Sequence, residues 1–495
     1  MRHALCLALL ALLPLTSAEA ATTYTVTSTA DSGPGSLRAA IQTLGNNTGE
    51  NIFTIAFDVG SNQTIAVASD LPVIGRSGAI ITIDGAGSPG LQIDGLGTSR
   101  LLYSFRNALF TVRDLALVRG RQSGGGCLRN GASSEDGSPM VVTRVLFSGC
   151  IGGIEGGGAI LTRNQLNVSD SVFLDNRIEL PPNFSAGGGA IAKLGSTGNL
   201  IIESSTFIGN SALGVGGINS NPQGGAIYID DNRLNHLIQG SWLTGNAAFN
   251  PSQPSAGYGG AVHLETGALQ VERSFLRGNR AGLEGGAIAV ASRANASATR
   301  RLILRNLSFE ANTSTMGAAV AFGNYGNQNG VLDVRNSLFQ FNEAASIESH
   351  GIFMMVGAGT LNLSHNAFGA QGLNGSSAGA HCMGAASSQN ANAVLAGSSV
   401  GCGAAAITVS TLGLIGSEPS LPAARPVAYA LAPNSPLIDA GVTGAGNIGN
   451  PAACLTSDAR GVLRPQVGVY GGGVARCDVG PVETIAPMFR DGFES

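Results

Sequence analysis

The chain has 495 residues, 43% of them hydrophobic and only 12% charged, with a net charge of −4 and Lys193 as its single lysine. That length allows two or three average domains or one elongated repeat, and without a basic tract neither nucleic acid nor anionic lipid is an expected partner. Glycine, at 73 residues, is about twice its usual share but lacks the strict Gly-x-y period of collagen, so many special backbone positions are implied.

At the N-terminus, Arg2 and His3 precede an apolar run from Ala4 to Leu15 and then Ala18-Glu19-Ala20. This is the pattern of a secretory signal peptide over 1–20. The run is too short for a membrane-spanning helix, which needs ~20 residues. The segment 21–75 reads as an N-terminal cap. Within it, Ser36 is a helix N-cap, followed by Leu37, Ala40, Ile41 and Leu44 on one helical face, a plausible lid for the first turn of a repeat.

From 76 to 370 a pattern recurs that can be written L-x-[VIL]-x-x-S-x-[FL]-x-x-N. Leu166, Val168, Ser171, Phe173 and Asn176 form one copy, and Leu269, Val271, Ser274, Leu276 and Asn279 another. Between copies lie GGGAIL (156–161), GGGAIA (187–192), GGAIYI (224–229), GGAVHL (259–264), GGAIAV (285–290) and GAAVAF (317–322). Successive copies are 26 to 36 residues apart, the irregular period of a solenoid with loops of variable length. Pairs such as L-x-V and S-x-F alternate like strands and do not follow a 3.6-residue period. The expected fold is therefore an all-β, right-handed parallel β-helix of about nine coils with three short strands each. Its inward columns include Ile288, Val290, Leu302, Leu304, Leu307 and Phe309.

Asn176, Asn210, Asn246, Asn279, Asn312 and Asn342 stay in register with the [FL] column. They read as a structural ladder at a turn, with side chains that tolerate left-handed backbone and amides that pair between coils. Glycan attachment or ligand binding is the alternative for these residues.

Beyond 370 the repeat stops, and 371–483 reads as a C-terminal cap or anchor-type region with 484–495 as a tail. Once Cys6 leaves with the signal peptide, six cysteines remain. Their grouping points to disulfides Cys127–Cys150, Cys382–Cys402 and Cys454–Cys477; buried free thiols are the alternative, and no CxxC spacing suggests a metal.

The GGA[IV] and FxxN phrases over about 124–370 resemble the repeats of Pmp-like (polymorphic outer-membrane protein) β-helix proteins of exported bacterial adhesins. TVTSTADSGPGSLRAAIQTLG (25–45) is similar to a CSLREA-type N-terminal segment, with Gly35 in place of the Cys and Ala39 in place of the Glu. SPLIDAG (435–441), DARGVLRP (458–465) and DVGPVE (478–483) resemble a choice-of-anchor Q segment. MFRDGFES at the end is similar to the close of various secreted proteobacterial proteins. The resemblance implies a pectin lyase-like fold and an extracellular or outer-surface location in a Gram-negative bacterium. The outer-membrane barrel of the polymorphic proteins has no counterpart here, since too few residues follow 370.

Enzymes also use this fold, yet the chain has no NTD or GHG phrase, and its only adjacent Asp pair is Asp230-Asp231. The outward positions of the GGA[IV] strand, Leu161, Ala192, Tyr228, His263, Ala289 and Ala321, are expected to form a small, neutral exposed face. One polar patch stands out on it: Tyr228, Asp230, His263 and Glu265, with Arg163 nearby. In matching register, Asp230 and Glu265 would lie one coil apart, near the ~5 Å carboxylate spacing of retaining glycosidases; a solvated surface patch is the plainer account. No cofactor or metal is expected, and Ca²⁺ has no residue pattern behind it.

The expected function is a non-catalytic, monomeric, exported or cell-surface scaffold, adhesin-like, binding a polysaccharide or other surface ligand. A polysaccharide lyase or glycoside hydrolase acting through the Tyr228–Glu265 patch is the alternative. Loops at 181–187, 213–223 and 249–258 precede successive GGA[IV] strands and should cluster on one edge.

Overall fold

The computed structural model describes residues 21–483 apart from 133–136, 196, 292–299, 324–329, 346–349, 356–358, 371–379, 398, 403–405, 416–428, 433, 442–453, 461–462 and 465–475. The described chain is a parallel β-helix. Each of its three main ladders collects one strand per coil. The GGA ladder includes Ile160–Thr162, Ile191–Leu194 and Ile227–Asp230. The L-x-V ladder includes Leu166–Ser169, Leu200–Glu203 and His236–Gln239, and the S-x-F ladder Val172–Leu174, Thr206–Ile208 and Trp242–Thr244.

Parallel pairing extends past 76–370 at both ends. It begins with Thr22–Val26 on Ile52–Phe57 and continues to Asn392–Leu395 on Ala406–Val409. A fourth, seven-stranded ladder follows the asparagine turn, running from Ile151–Gly152 through Arg177–Leu180 to Glu343–Ala344. Its strands are only two to four residues long, which hides any alternation from a sequence reading.

Alternation decides the core. Phe147 stacks on Phe173 at 4.9 Å and Phe173 on Phe207 at 4.6 Å, while further along Phe309, Phe339 and Phe368 stack in turn at 4.9 and 5.1 Å. Such buried offset pairs add to the free energy of apolar burial. The helix Leu37–Asn46 buries Leu37, Ala40, Ile41 and Leu44 against Val26, Phe53 and Ile55, with Ser36 Oγ accepting from Ala39 N at 3.2 Å. It therefore covers the apolar opening of the first coils.

The asparagine column is continuous. Asn210 Oδ1 accepts from both the backbone N and Nδ2 of Asn176, at 3.1 and 3.0 Å, and the same paired contact repeats through Asn246, Asn279, Asn312 and Asn342. A serine column, Ser171, Ser205, Ser241 and Ser274, serves the preceding corner with single bonds, each backbone N donating to the Oγ of the serine one coil on. One detail differs from expectation: the left-handed residue is the one before each Asn, namely Asp175, Gly209, Gly245, Gly278, Ala311 and Phe341. The Asn backbone stays on the negative-φ side and its amide closes the turn from within.

The GG bend is stricter. Gly285 has φ +66°, and a Cβ on Gly286 would sit 2.3 Å from Ala318 O, so the pair admits no side chain. Cys127–Cys150, Cys382–Cys402 and Cys454–Cys477 are disulfide-bonded.

The described part of the C-terminal region runs along the flank of the solenoid. Ala459 and Val482 pack on Trp242, Asn306 Nδ2 donates to Ser457 O at 3.0 Å, and Gly480 N donates to His365 O at 2.8 Å. This strap covers outward positions of the S-x-F ladder that would otherwise expose Leu338 and Ala367. No described helix is long and apolar enough to cross a membrane.

Candidate functional site

The polar patch lies where the chain turns into the GGA strand. The residue just before each GGA phrase forms a short column of its own: Gln223 pairs with Tyr258, Tyr258 with Glu284, and Glu284 with Met316. Facing it is the column Ala192, Tyr228, His263, Ala289 and Ala321. The two columns are the walls of a trough. Their approach is close enough that a Cβ on Gly187, one coil before Gln223, would lie 2.5 Å from Tyr228 Cγ. The expected exposed face is thus corrected: Leu161, Ala192, Ala289 and Ala321 are fully buried because the preceding column folds over them.

His263 sits at the centre. Its ring stacks on Tyr228 at 5.7 Å and meets the edge of Tyr258 at 6.0 Å. His263 Nε2 lies 3.2 Å from Glu265 Oε2, which also accepts from Gln223 Nε2 at 3.4 Å. Arg300 Nε donates to Glu265 O at 2.8 Å. Tyr228, Tyr258 and Glu265 are partly exposed, and His263 is buried.

The second correction concerns register. Asp230 pairs with Thr266 and not with Glu265, because a bulge after Leu264 shifts the ladder. Such a bulge re-aims the side chains around it. Asp230 Oδ1 accepts from Thr266 Oγ1 at 3.1 Å, while Glu265 turns toward His263. The two carboxylates are therefore not the facing pair that matched register would give. Arg163 stays outside the cluster; neither a hydrogen bond nor an ion pair joins it to the patch, and its Nε is buried without a partner among the described residues.

Burial pushes the Asp230 carboxyl above its ordinary value, and the charges of Glu265 and Asp231 push the same way. Burial likewise raises Glu284 to about 7, and its Oε2 has no hydrogen-bond partner among the described residues. The Glu284 carboxyl is therefore partly neutral near pH 7.

Gln223, Tyr258, Thr266, Glu284 and Arg300 join the patch without having been anticipated. A signal for three of them was present, since Gln223, Tyr258 and Glu284 occupy the same place before successive GGA phrases. Arg300 and Thr266 had none, because a bulge and a long connection set their positions.

Across the bend, Asp231 points the other way, into the solenoid, where it pairs with Lys193; both side chains are fully buried. Arg233 N donates to Asp231 Oδ1 at 3.0 Å, and Leu200 N donates to His236 Nδ1 at 3.0 Å. The latter bond places the neutral ring's proton on Nε2. Burial holds His236 down to about 4 against the opposing pull of Asp231, with Lys193 lowering it further.

As chemistry, the trough offers two partly exposed tyrosines, the Asp230 carboxyl held by Thr266 and a bound imidazole–carboxylate pair. Aromatic faces beside carboxylates and amides suit a hydroxyl-rich ligand, whose C–H face can stack while its hydroxyls donate. Comparison with protein-family models, with curated proteins and with solved structures finds no match to this chain.

Proposed function

We propose that this chain is an exported or cell-surface β-helix scaffold that binds a carbohydrate or similar hydroxyl-rich surface ligand without transforming it. The observation that carries this reading is how the trough's polar groups are occupied. Glu265 is held by His263 and Gln223, and Asp230 by Thr266, whereas Tyr228 and Tyr258 remain partly exposed. Groups bound to one another favour a fixed recognition surface over a poised acid and base. The signal-like N-terminus and the disulfides agree with an oxidising, exported setting. The Pmp-like repeats, with the CSLREA-type and choice-of-anchor Q-type segments, agree with an outer-surface, adhesin-like role in a Gram-negative bacterium.

The raised Asp230 carboxyl beside His263 favours a second reading, a polysaccharide lyase or glycoside hydrolase. Purified mature chain incubated with a panel of neutral and acidic polysaccharides separates the two. Saturable binding weakened about tenfold by Tyr258→Ala, with no product formed, is the expected result. Turnover that His263→Ala abolishes would overturn the scaffold reading.

A further inference from the structure

A second recessed surface lies on the outer face of the L-x-V ladder. Its floor is the row Leu237, Gln270 and Ile303, paired strand to strand, and the overhanging Leu234 and Asn235 wall one side. The cleft has a volume of about 400 Å³, within the range of small-ligand sites. Leu234 is 63% exposed and adds its aliphatic side chain to the lining.

Among the residues that line the cleft, Arg301 alone carries a full charge. In the strand Arg300–Arg305, alternation sends Arg301, Ile303 and Arg305 outward together. Arg301 is exposed and lines the cleft, and it makes no hydrogen bond or ion pair with any described residue. Arg305 stands on the other side of Ile303, close enough for the two like charges to oppose each other, and its Nε is buried without a hydrogen-bond partner among the described residues. Asp333, in register beside Ile303, is neutralised by its ion pair with Arg335, as Glu272 is by Arg273, and neither carboxylate forms an ion pair with Arg301.

We propose that this cleft binds a small amphiphilic organic anion, its acid group on Arg301 and its apolar body along Leu237, Ile303 and Leu234. An inorganic anion would leave Leu237, Ile303 and Leu234 wet, and a neutral apolar molecule would leave the Arg301 guanidinium without a counter-charge. An anion with an apolar body answers both, because charge-assisted bonds to arginine are strong and directional. The floor spans two strand spacings, about 10 Å, the length of an eight-carbon chain. This site is on a different face from the trough and does not depend on the trough's function.

Titrating the full mature chain calorimetrically with octanoate tests the proposal. Saturable binding is expected, weakened about tenfold by Arg301→Gln and comparably by Leu237→Asn, with far-UV circular dichroism unchanged. Acetate and octyl glucoside, which each carry half of the chemistry, should bind at least about tenfold more weakly. Tyr258→Ala should leave octanoate binding intact. The proposal is overturned if octyl glucoside binds as tightly as octanoate, if Arg301→Gln has no effect while the fold is retained, or if octanoate gives no saturable heat at millimolar concentration.

Discussion

Asn246 shows what the repeated asparagine does. Its Oδ1 accepts two bonds from Asn210, and its Nδ2 donates to Asn279 Oδ1 and Phe207 O, so no hydrogen-bonding atom of the amide is idle. Asn246→Ala leaves buried donors and a buried carbonyl without partners and should cost about 3 kcal/mol in chemical denaturation. Glu284 gives a pH test. Its folded value is raised from 4.5 to about 7, so the fold favours the neutral acid. Stability should be highest below 4.5, fall between 4.5 and about 7, and level off above. The loss should be on the order of 3 kcal/mol, and Glu284→Gln should remove that slope from a series of unfolding curves. Lys193 gives a third. Lys193→Met alone leaves Asp231 charged and buried and should cost about 3 to 5 kcal/mol, whereas Lys193→Met with Asp231→Leu should recover most of that loss in the same assay.

Elements differ in how well their residues announce them. The helix Leu37–Asn46 was legible because an N-cap and a 3.6-residue apolar stripe coincide. The loops at 181–187, 213–223 and 249–258 do gather on one edge: Ser185–Gly187 pairs with Asn221–Gln223, Asn219 N donates to Gln253 Oε1 at 3.0 Å, and Ile178, Leu180, Ala212 and Ala248 give that edge its own small core. The strap was not legible. Its grip comes from bend residues such as Asn306 and Asn336, and from Arg464, which is buried with Glu483 and donates to the carbonyls of Asp478 and Gly480. Asp458 and Arg464 thus meet Asp478 and Glu483 in one buried polar knot. Trp242 is the only tryptophan and lies under this strap. Reducing Cys454–Cys477 should loosen the strap and red-shift Trp242 emission, while far-UV circular dichroism keeps its β signature.

At the scale of the whole molecule, each coil rests chiefly on its neighbours, so stability should be nearly a sum over coils. Deleting Ile151–Asn176, one full period of 26 residues, joins Cys150 to Arg177 with every column in register. This variant should fold, with a lower melting temperature and an unchanged β spectrum. The sequence alone determined the solenoid and its inward columns, and its cysteine spacing suggested the pairing that the tertiary structure decided. Those follow from alternation, spacing and the few residue types a tight bend accepts, all of which are local. Tertiary structure decided the rest: the walls of the trough, the turning of Glu265 from Asp230 to His263, the burial of Lys193 and the path of the strap. Each depends on which residues two separate coils bring together, and a single bulged position is enough to change that pairing without altering the repeat on either side.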